Sequence, residues 1–168
     1  MKNKQLQKVP LRYLPKSLTH KDKVKQALML KKSRSLYKKH VYYNRKPLGS
    51  FKTKKSSHIT NAMKIYKVNN IKADKELSHK TGCSVSALKR IIKKGQGAYY
   101  SSGSRPNQTA QSWGIARLAS SITGGKASSV DYKIINNGCK HNKTAYRLAT
   151  KSRKKYKYGH SKTRKTIL

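Results

Sequence analysis

The sequence predicts a mainly α protein: a small helical centre, including a helix-turn-helix-like pair, with an extended basic N-terminal arm and C-terminal tail. Three observations predict it. Apolar residues recur at helical spacing in several short windows. Cap-forming Ser, Thr and Asp and helix-stopping Gly bound those windows. The positive charge is concentrated at the two ends of the chain.

The charge sets the frame. Of 168 residues, 42 are Lys or Arg and 4 are acidic, a net charge of +38. Leu, Ile, Val and Phe together number 30, about 18% of the chain. Below about 20%, with a high net charge, a free chain buries too little apolar surface to offset its conformational entropy. Something anionic or enveloping is therefore expected to hold it. Residues 1–55 carry +17, residues 56–100 +7, residues 101–138 only +3, and residues 139–168 +11. This divides the chain into a basic arm (1–55), a compact helical domain with a low-charge Gly/Ser loop (56–138), and a basic tail (139–168). Lys outnumbers Arg 33 to 9, which suits broad neutralisation better than bidentate reading.

Several classes are disfavoured. Two cysteines, Cys83 and Cys139, are too few for a disulfide scaffold and fit reduced thiols of a cytosol-like compartment. The longest stretch free of charged residues, Pro106 to Ala116, is too short and polar for a membrane span. No apolar segment of signal-peptide type follows the N-terminus. A carboxylate-based hydrolase would have only Asp22, Asp74, Glu76 and Asp131 to draw on.

Along the arm, Pro10, Pro15 and Pro47 punctuate the chain. Between them Thr19 can cap a helix with Asp22 near the free N–H groups, predicting a helix over His20–Ser35. Its stripe would be Val24, Ala27, Leu28 and Lys31. Tyr37, Tyr42 and Tyr43 then interrupt the lysines; they either stack bases or, the plainer reading, anchor the arm to a protein neighbour. Ile59, Ala62, Met63 and Tyr66 place a core-facing stripe on a helix over Ser57–Lys67.

Ala73–Lys80 predicts a short helix ended by Gly82. Ser84 or Ser86 caps the next, Val85–Lys94, which Gly95 ends. Leu77, Val85, Leu88, Ile91 and Ile92 would close the core between them. The run from Leu77 to Leu88 looks like a helix-turn-helix, whose second helix would present Ser84, Ser86, Lys89, Arg90 and Lys93 to nucleic acid. The plainer reading is a packing unit with a solvated basic face. Small and turn-forming residues then predict an ordered loop up to Asn107. A helix from Pro106–Asn107 to Gly124–Gly125 would bury Ile115, Leu118, Ala119 and Ile122, with Trp113 plugging the core near its start. In the tail, Thr144–Lys151 can form two helical turns through Ala145, Leu148 and Ala149. Tyr146, Tyr156 and Tyr158 sit among the basic residues, and residues 150–168, without a core of their own, would lie in a groove on a partner.

The Lys-Gly-Gln-Gly-Ala-Tyr-Tyr-Ser-Ser-Gly-Ser-Arg-Pro-Asn-Gln-Thr run ending at Thr109, the Ser-Trp-Gly-Ile-Ala-Arg-Leu-Ala segment from Ser112, and Arg12–Leu18 resemble an uncharacterised domain family of nucleocytoplasmic large DNA viruses. The resemblance covers roughly residues 12–131. It implies a viral origin and, for so basic a chain, residence in a virion as a minor capsid protein of the chlorella-virus type. The expected function is structural: binding and cementing capsomers on the inner side of the shell, after synthesis in the host cytoplasm. Major capsid protein and other minor capsid proteins are the expected partners, with viral DNA and the inner-membrane surface as further candidates. The alternative is a packaged nucleic-acid-binding protein, condensing the genome or reading DNA with the helix-turn-helix.

Tyr99, Tyr100, Arg105, Asn107, Gln108, Trp113 and Arg117 are the candidate docking residues. Gly95-x-Gly97 and Gly103-x-Arg105 superficially match a phosphate cradle, but no strand pattern precedes them and no Gly-Lys-Ser/Thr closes them. His79 with Cys83 and Cys139 with His141 would supply four zinc ligands, yet the spacing fits no finger pattern. Cys83 has no orienting carboxylate nearby in sequence for nucleophilic catalysis. No enzyme activity, metal, cofactor or small-molecule substrate is expected.

Overall fold

Caps written in the sequence set several helix boundaries in the computed structural model, which describes residues 7–157 and 163–168. Eight helices and one two-stranded sheet form there, with about 60% of the described residues helical. The mainly α fold is therefore correct. Two units divide the chain, and they do not follow the arm, centre and tail. One takes residues up to 53, the loop 97–110 and the last residues; the other takes 54–96 and 111–161.

In the first unit, strands β1 (Lys8–Pro10) and β2 (Lys165–Ile167) pair antiparallel, with Val9 opposite Thr166. The end of the tail thus lies on its own chain, where an extended segment satisfies its backbone groups without a partner's groove. Helix α1 (His20–Tyr37) starts where expected, the Thr19 hydroxyl accepting the Asp22 N–H at 3.3 Å. Its orientation corrects the sequence reading. Gln26, Leu30 and Ser33 face inward, whereas Val24 and Leu28 of the expected stripe are 46% and 60% exposed. The covering segment explains this, because it offers main-chain oxygens. Gln26 donates to the carbonyls of Tyr13 and Ser104, and Ser33 to that of Tyr100. Valine and leucine would leave those acceptors unpaired.

The second unit holds α2 (Ser57–Tyr66), α3 (Lys75–Thr81), most of α4 (Val85–Ser101) and of α5 (Ala110–Ile122), α6 (Lys126–Val130), α7 (Tyr132–Gly138) and α8 (Thr144–Tyr156). Leu77, Leu88, Ile91, Leu118, Ile122 and Ile135 are its large buried apolar side chains. The α2 stripe packs as its spacing demands, Ala62 and Tyr66 buried with Ile59 and Met63 against them. On α5, Leu118, Ala119 and Ile122 are buried and Ile115 packs on the core. Helix α8 runs past the expected Lys151 because Ala145, Ala149 and Ser152 all face inward, the Ser152 hydroxyl donating to Gly125 O at 2.8 Å. Tyr158 and the first six residues of the arm lie outside the described residues.

Gly95 does not end α4. A Cβ there would stand 2.7 Å from the Gly114 Cα, and one at Gly114 would stand 2.7 Å from the Ile92 carbonyl oxygen. The two glycines let the α4 and α5 backbones touch, so helix continues through Gly95 and Gly97 to Ser101, taking residues expected in the loop. Gly114→Ala should lower stability by about 1–3 kcal/mol even though alanine is the better helix former. Urea unfolding checks this, and an unchanged or raised midpoint would mean the helices can part at no cost.

Pro106 and Asn107 do not begin α5 either. Asn107 adopts φ +59°, a left-handed conformation that keeps it in the loop, and the helix starts at Ala110. The cysteines also differ from expectation. Cys83 and Cys139 are bonded to each other, 56 residues apart in sequence. They sit opposite one another in an isolated antiparallel bridge, flanked by Ser84 N–H to Gly138 O and Lys140 N–H to Gly82 O, both 2.8 Å. In a pair flanked this way the Cα atoms approach most closely, which brings the two sulfurs within bonding reach.

Candidate docking surface and basic helix face

The loop motif folds onto the arm through a guanidinium. Arg45 stacks on the Tyr99 ring at 3.7 Å and donates to Tyr99 O (2.9 Å), Ser33 Oγ (3.0 Å) and Ser104 Oγ (2.8 Å). Its backbone N–H donates to the Tyr99 hydroxyl at 3.0 Å. No carboxylate takes part, so burial lowers the Arg45 pKa, and the ring face and hydroxyls supply the polar surroundings. Tyr99 is buried by this contact. Tyr100 packs on Tyr42 and Tyr37 and donates its hydroxyl to Asn44 Oδ1 at 3.2 Å. Asn107 clips the end of the arm: Oδ1 accepts the Leu48 N–H at 2.7 Å, and Nδ2 donates to the carbonyls of Leu48 and Phe51. Arg105 is exposed, and Gln108 is half-buried. Of the candidate docking residues, this unit thus gathers Tyr99, Tyr100 and Asn107 around residues 33–51, where their bonds are internal.

Trp113 and Arg117 belong to the helical unit. Trp113 is half-buried. Arg117 grips the fully buried Asp131, Nε to Oδ2 at 2.9 Å and Nη2 to Oδ1 at 2.7 Å. Lys94 reaches Oδ1 at 2.9 Å and the Ser121 hydroxyl donates to Oδ2 at 2.8 Å. Burial pushes the Asp131 carboxyl up, but the Arg117 and Lys94 contacts outweigh it and hold it below the ordinary range. This centre ties α4, α5 and the α6–α7 junction together, and sequence reasoning missed it. The available signal was Asp131 itself, the one acid among residues 101–138.

The α3–α4 pair is two helices joined by a short turn at Gly82–Ser84. Asp74 caps α3 by accepting the Leu77 N–H, and Gly82 ends it at φ +75°. Ser84 Oγ accepts the Ala87 N–H at 3.1 Å, capping α4, while Leu77, Leu88 and Ile91 close the interior. Ser84, Ser86, Lys89, Arg90 and Lys93 are all exposed. The next lysine, Lys94, turns to Asp131 instead.

His79, Cys83, Cys139 and His141, whose spacing fits no zinc finger, are not available as a ligand set, since Cys83 and Cys139 are bonded to each other. Among the described residues no group of three or more metal-ligating side chains comes together. No helix among them is long and apolar enough to cross a membrane.

No curated protein and no solved structure matches the chain. Residues 10–142, which hold the loop motif, the α3–α4 pair and the Asp131 centre, match a family of unknown function (DUF5824). The chain belongs to that family.

Proposed function

We propose that this protein is a structural, non-enzymatic component of a large DNA virus virion, a minor capsid protein that cements capsomers on the inner side of the shell. The observation that carries the reading is the Cys83–Cys139 bond within a chain of net charge +38. Disulfides persist in oxidising surroundings, virions among them, and are rare in cytosolic proteins. The host cytoplasm where such a chain would be made is reducing, so the bonded form would belong to the particle outside it. The charge supplies the adhesion. Lys94 and Arg117 both spend their charge on buried Asp131, while Lys21, Lys25, Lys31 and Lys32 of α1 stay exposed around Val24 and Leu28. An apolar patch ringed by lysines suits an acidic-rimmed protein surface such as a capsid neighbour's inner face. Carboxylate–amine cross-linking of purified virions should join α1 lysines to the major capsid protein or another minor one. Absence of the protein from purified virions, or its release with the genome on nuclease treatment, would sink the reading.

A second reading, nucleic-acid binding, is favoured by the exposed α4 face. If Lys89, Arg90 and Lys93 contact phosphate, replacing all three with alanine should reduce the slope of log affinity against log salt by about 2–3. An unchanged slope in duplex-DNA titrations would remove α4 from the interface. Sequence preference that survives raised salt would mark groove reading; its collapse would mark simple neutralisation.

A further inference from the structure

A cavity of about 610 Å³ opens beside the Cys83–Cys139 bridge. Its walls carry Lys75, His79, Lys140 and Lys143, with Ser84 and Asn137 as neutral hydrogen-bonding groups, and no carboxylate lines it. None of the three lysines has an ion-pair partner among the described residues. All three line one concave site, where an anion would meet positive charge with no carboxylate competing for it.

The fold fixes where these residues leave the backbone. Lys75 is the first residue of α3, Lys140 follows directly on the bridge, and Lys143 precedes α8. The Lys143 stem lies across Gly82, so close that a Cβ at Gly82 would stand 2.5 Å from its Cγ. Gly82 also needs its left-handed conformation to turn α3 into α4. One glycine therefore both makes the helix-turn-helix turn and lets a lysine reach over it. Ser84 lines the cavity at the start of the 17-residue helix α4; its N–H donates to Gly138 O and its hydroxyl caps Ala87, so its place adds the positive end of the helix dipole.

We propose that this cavity binds a phosphate group, held by Lys75, Lys140 and Lys143 at the start of α4. The site does not depend on capsomer cementing. If its phosphate belongs to nucleic acid, it anchors the turn of the α3–α4 pair to the backbone and leaves Lys89, Arg90 and Lys93 for the adjoining contact.

Nuclear magnetic resonance titration of the full oxidised chain with inorganic phosphate, at constant ionic strength set by chloride, tests it. Saturable shifts of the Gly82, Ser84 and Lys140 amides are expected. Lys140→Gln with Lys143→Gln should weaken phosphate at least tenfold, and Lys75→Gln, which leaves the Gly82 contact untouched, should also weaken it severalfold. Lys89→Gln with Lys93→Gln should change it less than twofold. Linear shifts spread over all lysines, or wild-type affinity in both cavity variants, would overturn the proposal. A short duplex added to the phosphate-loaded protein identifies the source. Displacement at these amides assigns the phosphate to a nucleic-acid backbone. Retention while duplex binds assigns it to a free phosphate compound. Failure of virion cross-linking, by contrast, would leave these shifts unchanged.

Discussion

Reducing the Cys83–Cys139 bond should destabilise the helical unit by about 4 kcal/mol, the loop-closure entropy of a 56-residue separation. For a chain of this size the melting temperature should fall by roughly 10 °C. The bridge closes the stretch from the start of α4 to the end of α7, which includes the whole Asp131 centre. Without it, the unfolded segment regains its freedom while the native contacts stay the same. Thermal unfolding with and without reductant measures the effect, and Cys83→Ser with Cys139→Ser should reproduce the reduced curve and lose all response to reductant. Identical curves in oxidised and reduced protein would show that the bond contributes nothing. Thiol labelling of unfolded, unreduced protein should find neither cysteine reactive.

Asp131→Asn should cost about 3–5 kcal/mol, because it leaves Arg117 and Lys94 aimed at a group that no longer answers their charge. The same carboxylate predicts the acid limb of stability. Its folded pKa lies below its unfolded value, so its contribution is fully present above the unfolded pKa, about 4, and is lost as pH falls through the folded value. Urea midpoints measured from neutral pH downward should decline below about pH 4, and the decline should be smaller in the Asn variant. A variant as stable as wild type at neutral pH would show that the ion cluster only breaks even against its desolvation.

Much of the fold was legible because it rests on local rules. Thr19, Asp74 and Gly82 mark helix ends by offering or freeing single backbone groups, and the stripes on α2 and α5 follow from spacing alone. The misread features share a different cause. Gly95 reads as a stop by its propensity, but it lies where α5 presses on α4, and close approach outweighs the propensity cost. Hydrophobicity alone puts the α1 stripe on the wrong face, because Tyr13 and the 100–104 stretch present carbonyl oxygens that Gln26 and Ser33 satisfy. For the candidate site, the exposure of Ser84, Ser86, Lys89, Arg90 and Lys93 follows from helical spacing. The loop motif reads as one ordered loop, yet its residues up to Ser101 continue α4, and Tyr99, Asn107 and Arg117 turn inward to partners distant in sequence: Arg45, Leu48 and Asp131.

The sequence by itself determined the mainly helical class, the helix-turn-helix-like pair and the uneven spread of a charge that four acids cannot balance. Those properties depend on spacing, caps and counting, each readable within a few residues. Tertiary structure alone decided that the tail's last strand pairs with the arm, that Cys83 meets Cys139, and that Lys75 lines one cavity with Lys140 and Lys143. Each of these joins residues many positions apart, and no local preference encodes which distant segment supplies the missing hydrogen bond, sulfur or charge.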